Sequence, residues 1–210
     1  ESLPVTAYEE DAGLAFAVQW VEKFHDSPDT SKGRRVYWGR VGAGIARPGD
    51  SIRVFPSGQT ALIKEVLNSV RQPTDIAAGH SAGLVLDREV DISRGDWVLA
   101  QHHDAPSQNP LNVTLAWLDD EPLVAGRVYW ALHGHRWVKA KVLRIVHRLD
   151  VNSLQELEAS ELPPNAIGHV QLAFQQPLVS LPFEQSRILG SLVLVDTASH
   201  KTSAAALVQA

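Results

Sequence analysis

The sequence predicts an all-β protein built from two β-barrels in tandem. Short runs rich in Val, Ile, Leu and aromatic residues are separated by Gly, Pro, Asp and Ser, and long helical periodicity is nearly absent. A polar stretch with two prolines, QHHDAPSQNPLN, interrupts this pattern near the middle of the chain. The 210 residues suffice for two domains of about 100 residues each. We therefore expect domains at 1–106 and 107–210.

The first half contains six predicted strands, each bounded by turn-forming residues. They are Leu14–Lys23, Arg35–Gly44, Ser51–Phe55, Thr60–Leu67, Ala82–Leu86 and Trp97–Gln101. In the third of these, Ile52 and Val54 alternate with Ser51 and Arg53. Such alternation is typical of a strand with one buried face.

A Gly-Asp pair precedes two of these strands, at Gly49-Asp50 and at Gly95-Asp96. The second pair follows Arg94, which completes an Arg-Gly-Asp tripeptide of the kind that suggests an adhesion ligand. We interpret both pairs as turns in which glycine supplies the backbone conformation and aspartate caps it. An adhesion role would need a secreted protein, and neither a signal-peptide pattern nor a cysteine favours secretion.

The second half alternates as clearly in LNVTLAWL (111–118) and HVQLAF (169–174). Along Trp137–Leu149 the apolar positions shift by one residue between Val142 and Leu143, which predicts a β-bulge. Ser153 and Glu156 have the spacing of a capping box, which would suit one helical turn.

Motifs that carry chemistry are missing from the sequence. It contains no Gly-rich phosphate loop ending in Gly-Lys-Ser/Thr, no His-Glu-x-x-His and no Gly-x-Ser-x-Gly. We therefore expect no catalytic, cofactor-binding or metal-binding residues in this chain. The formal net charge of −5 and the scattered basic residues argue against nonspecific nucleic-acid binding. No apolar run approaches the roughly 20 residues that cross a bilayer.

Histidines offer the closest approach to a metal pattern. His102, His103 and Asp104 are consecutive, so they point in opposite directions on an extended segment, and we interpret them as solvated linker residues. His133 and His135 would share one face of a strand. A metal-binding barrel that uses this pair remains open as a minor alternative.

Candidate contact residues lie in two places. Arg136, Lys139 and Lys141 form a modest basic strip on one predicted strand face, suited to a partner or an anionic ligand. The turn Ser57-Gly58-Gln59 is the second candidate for partner contact.

Longer strings in the chain resemble a known family. FAVQWV, GRVGAGIARPGDSIRVFPSGQTALIKEV and AAGHSAGLVLDREVDISRGDWV resemble the second domain of the GTPase subunit of heterodimeric bacterial sulfate adenylyltransferase. AWLDDEPLVAGRVYWALH, HRWVKAKV, LPPNAIGHVQLAFQQPL and GSLVLVDTASHKTSAAALV resemble its third domain. Both halves are also similar to the two barrels that follow the GTPase domain in elongation factor Tu.

The resemblance implies a noncatalytic pair of elongation-factor-Tu-like barrels that couples GTP hydrolysis to the synthesis of adenosine 5′-phosphosulfate from ATP and sulfate. It implies GTP and Mg²⁺ in an N-terminal GTPase domain that this chain lacks, and ATP in a small adenylylating subunit. Its partners would be that GTPase domain and that subunit, in the cytoplasm, and the chain alone would be inactive. A translation-factor-like RNA-binding barrel pair is the alternative, against which the acidic balance argues.

The chain also departs from the family pattern. The segment Phe24–Arg35 is longer and more polar than the expected connection, and Ala166, Phe183 and Ala206 replace the usual acidic, Tyr and Gly residues. These departures leave open a divergent paralogue, including one whose native chain continues into an adenylyl-sulfate kinase domain.

Overall fold

The computed structural model describes residues 9–23 and 35–210, so most of the divergent Phe24–Arg35 segment lies outside the described residues. The chain divides into two compact units, Glu1–Asp104 and Ala105–Ala210. All regular elements in the described ranges are strands, and the all-β, two-barrel prediction is confirmed.

The first unit is a closed barrel of six antiparallel strands in the order β1-β2-β7-β5-β4-β8. Its elements are β1 (Ala15–Lys23), β2 (Arg35–Ala43), β3 (Ile45–Ala46), β4 (Ser51–Phe55), β5 (Thr60–Leu67), β6 (Ile76–Ala77), β7 (Ser81–Leu86) and β8 (Trp97–Ala100). The short strands β3 and β6 pair with each other outside the barrel. The six predicted strands match the six barrel strands, because turn chemistry marks both ends of each run.

The core of the first barrel consists of the apolar side chains that alternate inward along these strands. Phe16, Ile52, Ile63 and Leu84 are fully buried. Tyr37 is buried with them, and its hydroxyl donates a hydrogen bond to the carbonyl of Val90 at 2.7 Å. The one polar atom that Tyr37 brings into the core is therefore satisfied.

The turn at Gly49-Asp50 leads into β4. Gly49 has φ of 91°, a conformation that favours glycine. The amide of Arg47 donates to Asp50 Oδ2 at 2.9 Å, so the aspartate caps the turn as expected. The turn also joins β5, because the Gly49 amide donates to the Ile63 carbonyl and the Ile63 amide donates to the Asp50 carbonyl.

The turn at Gly95-Asp96 leads into β8 with the same geometry. Gly95 has φ of 93°, and the amide of Ser93 donates to Asp96 Oδ2 at 2.9 Å. The Gly95 amide donates to the Val18 carbonyl of β1, and the Val18 amide donates to the Asp96 carbonyl. The interpretation of both Gly-Asp pairs as capped turns is confirmed.

The second unit is also a closed barrel of six antiparallel strands, in the order β12-β18-β19-β10-β16-β13, closed by pairing of β12 with β13. Its elements are β9 (Ser107–Gln108), β10 (Leu111–Trp117), β11 (Leu123–Val124), β12 (Val128–His133), β13 (Arg136–Leu149), β14 (Glu156–Leu157), β15 (Glu161–Leu162), β16 (Ile167–Phe174), β17 (Leu178–Val179), β18 (Ser191–Asp196) and β19 (Thr202–Val208). The short strand β14 pairs with the end of β13, outside the closed ring.

Strand β13 is the longest element and contains the predicted irregularity. Its register with β16 shifts between Val142 and Arg144, which confirms the β-bulge, and shifts again between Ile145 and His147. Such bulges bend a strand and strengthen its twist. They allow β13 to follow the barrel wall over 14 residues.

The helical turn predicted from Ser153 and Glu156 is wrong. Asp150 caps a tight turn here, since its Oδ1 accepts hydrogen bonds from the amides of Ser153 at 2.9 Å and Asn152 at 2.8 Å. These bonds hold the pKa of the Asp150 carboxyl below its usual range. Glu156 instead begins β14.

The core of the second barrel contains two buried aromatic rings in edge-to-face contact. Trp117 and Tyr129 have centroids 5.6 Å apart at an interplanar angle of 75°. The Trp117 indole donates to the Glu121 carbonyl at 2.7 Å. Leu115 and Leu194 are fully buried in the same cluster.

None of the described residues belongs to a helix that is long and apolar enough to cross a membrane.

Replacement of Asp50 or Asp96 by alanine removes one acceptor from each Gly-Asp turn. We expect either change to lower the free energy of unfolding by about 1 kcal/mol, and the asparagine variants to keep most of it because an acceptor oxygen remains. Urea unfolding followed by tryptophan fluorescence measures the effect. Alanine at the exposed Asp91 is the matched control. Equal stability of the D96A and D91A proteins would contradict the capping role.

Candidate functional site

The candidate surface is the outer face of β12 and β13 in the second barrel. Val138, Ala140 and Val142 point into the core, so strand alternation turns Trp137, Lys139 and Lys141 outward. Across the strand pair, Trp137 lies opposite Leu132, Lys139 opposite Trp130, and Lys141 opposite Val128. We call these six residues the β12–β13 face.

The β12–β13 face combines exposed apolar area with positive charge. Trp137 is 49% exposed and Val128 is 41% exposed. The ammonium of Lys139 lies 5.5 Å from the centroid of the Trp130 ring, within the range of a cation–π contact. Exposed tryptophans are frequent anchors of protein interfaces. The face therefore has the composition of a contact surface for an acidic partner.

Arg136 does not lie on this face, and the prediction of one strip with Lys139 and Lys141 is wrong in that respect. It is the first residue of β13, two residues before the inward Val138, so it shares the side of Val138. Across the strand pair it lies opposite the buried His133. Its guanidinium donates to the Gln176 side-chain oxygen. Because successive side chains on a strand point to opposite faces, Arg136 lies on the opposite face from Lys139 and Lys141.

The turn Ser57-Gly58-Gln59 is exposed at the end of the β4–β5 hairpin in the first barrel. The Gly58 amide donates to the Val54 carbonyl at 2.7 Å, and the Val54 amide donates to the Gln59 carbonyl at 2.8 Å. The turn is therefore held in one conformation by its own backbone and presents its side chains to solvent.

His133 and His135 do not share a strand face, so the geometry expected for a metal site on this pair does not form. His133 ends β12 and is 0% exposed, with Nε2 located 3.1 Å from the Leu189 carbonyl. His135 lies in the hairpin turn, where the alternation stops. The pKa of His133 is lowered to about 4, chiefly by burial; the hydrogen bond to Leu189 opposes this shift, and the positive charge of Arg136 adds to it.

The interpretation of 102–104 as solvated linker holds for His102 and Asp104, which are exposed, but is wrong for His103. The His103 carbonyl accepts a hydrogen bond from Arg53 at 3.3 Å, and its ring lies against Gly13. Burial lowers its pKa. The first barrel thus extends its packing as far as His103.

A second surface, which the sequence did not reveal, lies on the first barrel. Trp20 is 53% exposed and is opposite Trp38 across the β1–β2 pair. Together with Arg71 and Arg94 they line a cleft of about 520 Å³. Trp20 and Trp38 occur within strand-like runs, where an apolar residue is ordinarily assigned to the core.

A charged network orders one wall of this cleft. Arg71 forms a two-pronged ion pair with Glu22, at 2.7 Å and 3.0 Å, and its guanidinium lies 5.5 Å from the Trp38 ring centroid. The Trp38 indole donates to the same Glu22 carboxylate at 2.9 Å. The hydrogen bonds from Arg71 are the main reason that the pKa of Glu22 lies below its usual range. Trp38 is thereby fixed with one ring face towards a cation.

Comparison with known proteins shows which class of fold the chain has. Residues 111–209 match the family described as GTP-eEF1A C-terminal domain-like. The structure of Sup35 complexed with GDP aligns with 96% of this chain and 48% of its own, with a TM-score of 0.83 and 15% identity, which shows a shared fold. The chain is thus a pair of translation-factor-like barrels.

The curated relatives identify the family more closely. Sulfate adenylyltransferase subunit 1 of Yersinia enterocolitica is 34% identical over 210 residues, which cover all of this chain and 42% of the relative. The same subunit of Laribacter hongkongensis is 34% identical over 83% of this chain and 37% of the relative. The bifunctional enzyme CysN/CysC of Xylella fastidiosa is 35% identical over 91% of this chain and 30% of the relative.

The chain belongs to the family of sulfate adenylyltransferase subunit 1. It spans less than half the length of the curated relatives it matches. This identification confirms the resemblance inferred from the sequence strings.

The buried His133 makes the stability of the second barrel depend on pH. Its pKa is about 4 in the folded state against 6.5 ordinarily, so below pH 6.5 the unfolded chain binds a proton that the folded chain does not. Stability contributed by this residue is therefore present above pH 6.5 and is lost as the pH falls to about 4. The two pKa values correspond to a loss of about 3 kcal/mol.

Urea unfolding at several pH values between 4 and 7 measures this loss, with pH steps of about half a unit. We expect the H133N protein to show a smaller decrease than the unmodified chain. Alanine at the exposed His80 is the control and should leave the pH dependence unchanged. An H133N protein with the full decrease would show that other groups cause it.

Proposed function

We propose that this chain is the noncatalytic two-barrel part of a sulfate adenylyltransferase GTPase subunit, and that it couples GTP hydrolysis to adenosine 5′-phosphosulfate synthesis. The observation that carries the proposal is the match to sulfate adenylyltransferase subunit 1 over the whole chain. In this proposal GTP and Mg²⁺ bind to a GTPase domain N-terminal to the barrels. ATP binds to a separate adenylylating subunit, and assembly takes place in the cytoplasm, where both nucleotides are available.

The barrels would act through contacts rather than chemistry. A GTPase can drive a partner only if the partner is held differently in the GTP and GDP states, because coupling requires a difference in interaction free energy between the states. Closed barrels suit this role, since their hydrogen-bonded walls move as rigid bodies. They can pass a change in one neighbour to another without changing shape.

The β12–β13 face is our candidate for contact with the adenylylating subunit. Trp137 offers a large exposed ring, and Lys139 and Lys141 add positive charge beside it. An interface of this kind gains most of its affinity from the aromatic anchor, while the flanking charges steer association. The turn Ser57-Gly58-Gln59 and Arg136 are secondary candidates for partner contact.

Binding to the adenylylating subunit of the same organism tests the proposal. We expect saturable binding of the unmodified chain, a rise in Kd of about tenfold or more for W137A, and slower association for the K139E/K141E protein. Surface plasmon resonance at about 0.1 M salt, where the Debye length is about 10 Å, measures both. The chain alone is expected to show neither adenylyl transfer nor GTP hydrolysis.

Charge reversal at Lys201 is the matched control, because Lys201 is an exposed lysine in the β18–β19 turn of the same barrel. The K201E protein should bind as the unmodified chain does. No binding by the unmodified chain would contradict the proposal. Tight retention on RNA that weakens steeply with salt would instead favour the RNA-binding alternative.

A further inference from the structure

Three potential metal ligands meet on the outer wall of the second barrel, apart from the β12–β13 face. They are His147 on β13, Glu156 on β14 and His169 on β16. The potential ligand atoms of these residues all lie within 4.8 Å of one another. We call this group the β13–β16 cluster.

The second bulge of β13 creates the histidine pair. Ile145 lies opposite the buried Val170, and the register then shifts so that His147 lies opposite His169. Val146 is the extra residue at this shift. In a regular strand His147, two residues after Ile145, would share its inward direction. The bulge therefore turns His147 outward, beside His169.

The short strand β14 brings the carboxylate to the pair. It folds back on β13 so that Glu156 lies opposite Leu149. The turn between the strands is fixed by the Asp150 cap, whose carboxylate accepts two backbone hydrogen bonds. Glu156 is therefore positioned by backbone pairing, although its side chain is 64% exposed.

The distances within the cluster approach those of a tetrahedral zinc site. His147 Nε2 and Glu156 Oε1 are 3.2 Å apart. Ligand atoms about 2.1 Å from a tetrahedral Zn²⁺ are roughly 3.4 Å from one another. The two imidazole rings have centroids 4.2 Å apart and are tilted by 59°, so their edges can turn towards a common point. Side-chain rotation alone can bring the ligands together.

His147 Nε2 has no hydrogen-bond partner although it is shielded from solvent. The Glu156 carboxylate lies beside it, with Oε1 3.2 Å away. An unpaired buried nitrogen facing a carboxylate is unfavourable, and a bound cation would satisfy both groups.

We propose that His147, Glu156 and His169 bind one divalent transition-metal ion, with Zn²⁺ as the best match. Two imidazoles and one carboxylate form a ligand set that suits zinc, whereas Mg²⁺ and Ca²⁺ prefer oxygen ligands throughout. The exposed side of Glu156 leaves room for water as the fourth ligand. Such an ion ties β14 to the barrel wall. The site goes beyond the coupling role proposed above and departs from the expectation that the chain holds no metal ligands.

Zinc titration of the untagged, chelator-treated 210-residue chain tests the site, with a chromophoric chelator as competitor. The chain contains no cysteine, so no thiolate competes for the ion. We expect one equivalent of Zn²⁺ per chain, loss of at least 100-fold in affinity for H147A and for H169A, and about tenfold or more for E156Q. Alanine at the exposed His80 should have no effect.

The unmodified chain offers a second measurement that does not depend on the folding of variants. Co²⁺ should bind with the intense visible absorption of a four-coordinate site, and Zn²⁺ should displace it. The proposal is overturned if the unmodified chain takes up no stoichiometric zinc, or if its Co²⁺ spectrum is the weak one of an octahedral ion. Unchanged affinity in a folded H147A/H169A protein would overturn it as well.

Discussion

Closure of each sheet is the constraint on which the rest of this protein depends. An open antiparallel sheet leaves unpaired amides and carbonyls along two edges, and a closed ring leaves none. In the second barrel β13 contributes most to this closure, because it pairs with β16 on one side and, on the other, with β12 along its first half and with β14 at its end. Its two bulges permit the curvature that closure demands, and each bulge also changes which side chains point outward.

The register of β13 therefore decides which candidate surfaces the second barrel presents. One stretch of β13 displays Trp137, Lys139 and Lys141, and a later stretch of the same strand displays His147. Between them the register changes twice. The strand can thus present a cationic and aromatic surface at one end and the proposed metal-binding pair at the other, while it stays paired with β16 on either side of each bulge.

Local patterns sufficed to predict the strands and the Gly-Asp turns, because alternation and turn chemistry act within a few residues. They failed where the outcome depends on pairing between distant segments. His147 and His169 become neighbours only through the register of β13 with β16. Arg136 and Lys139 lie on opposite faces of β13, which depends on where the strand begins and how it pairs with β12. The second bulge is not visible as a change in apolar phase, because Val146 is itself apolar. The exposure of Trp20 and Trp38 could not be predicted for a related reason, since the sequence does not distinguish apolar residues on an outer face from core residues.

The twin Gly-Asp turns have a consequence for the symmetry of the first barrel. Strands β4 and β8 pair with each other, so that Ile52 lies opposite Ala100 and Val54 opposite Val98. Each strand is entered through the same turn, and each turn is bonded to the strand on the far side, β5 in one case and β1 in the other. A twofold axis between β4 and β8 would therefore superpose β5-β4 on β1-β8. Four of the six barrel strands are thus two copies of one unit, a Gly-Asp turn with a pair of strands, and the Arg-Gly-Asp tripeptide contains one of the two turns.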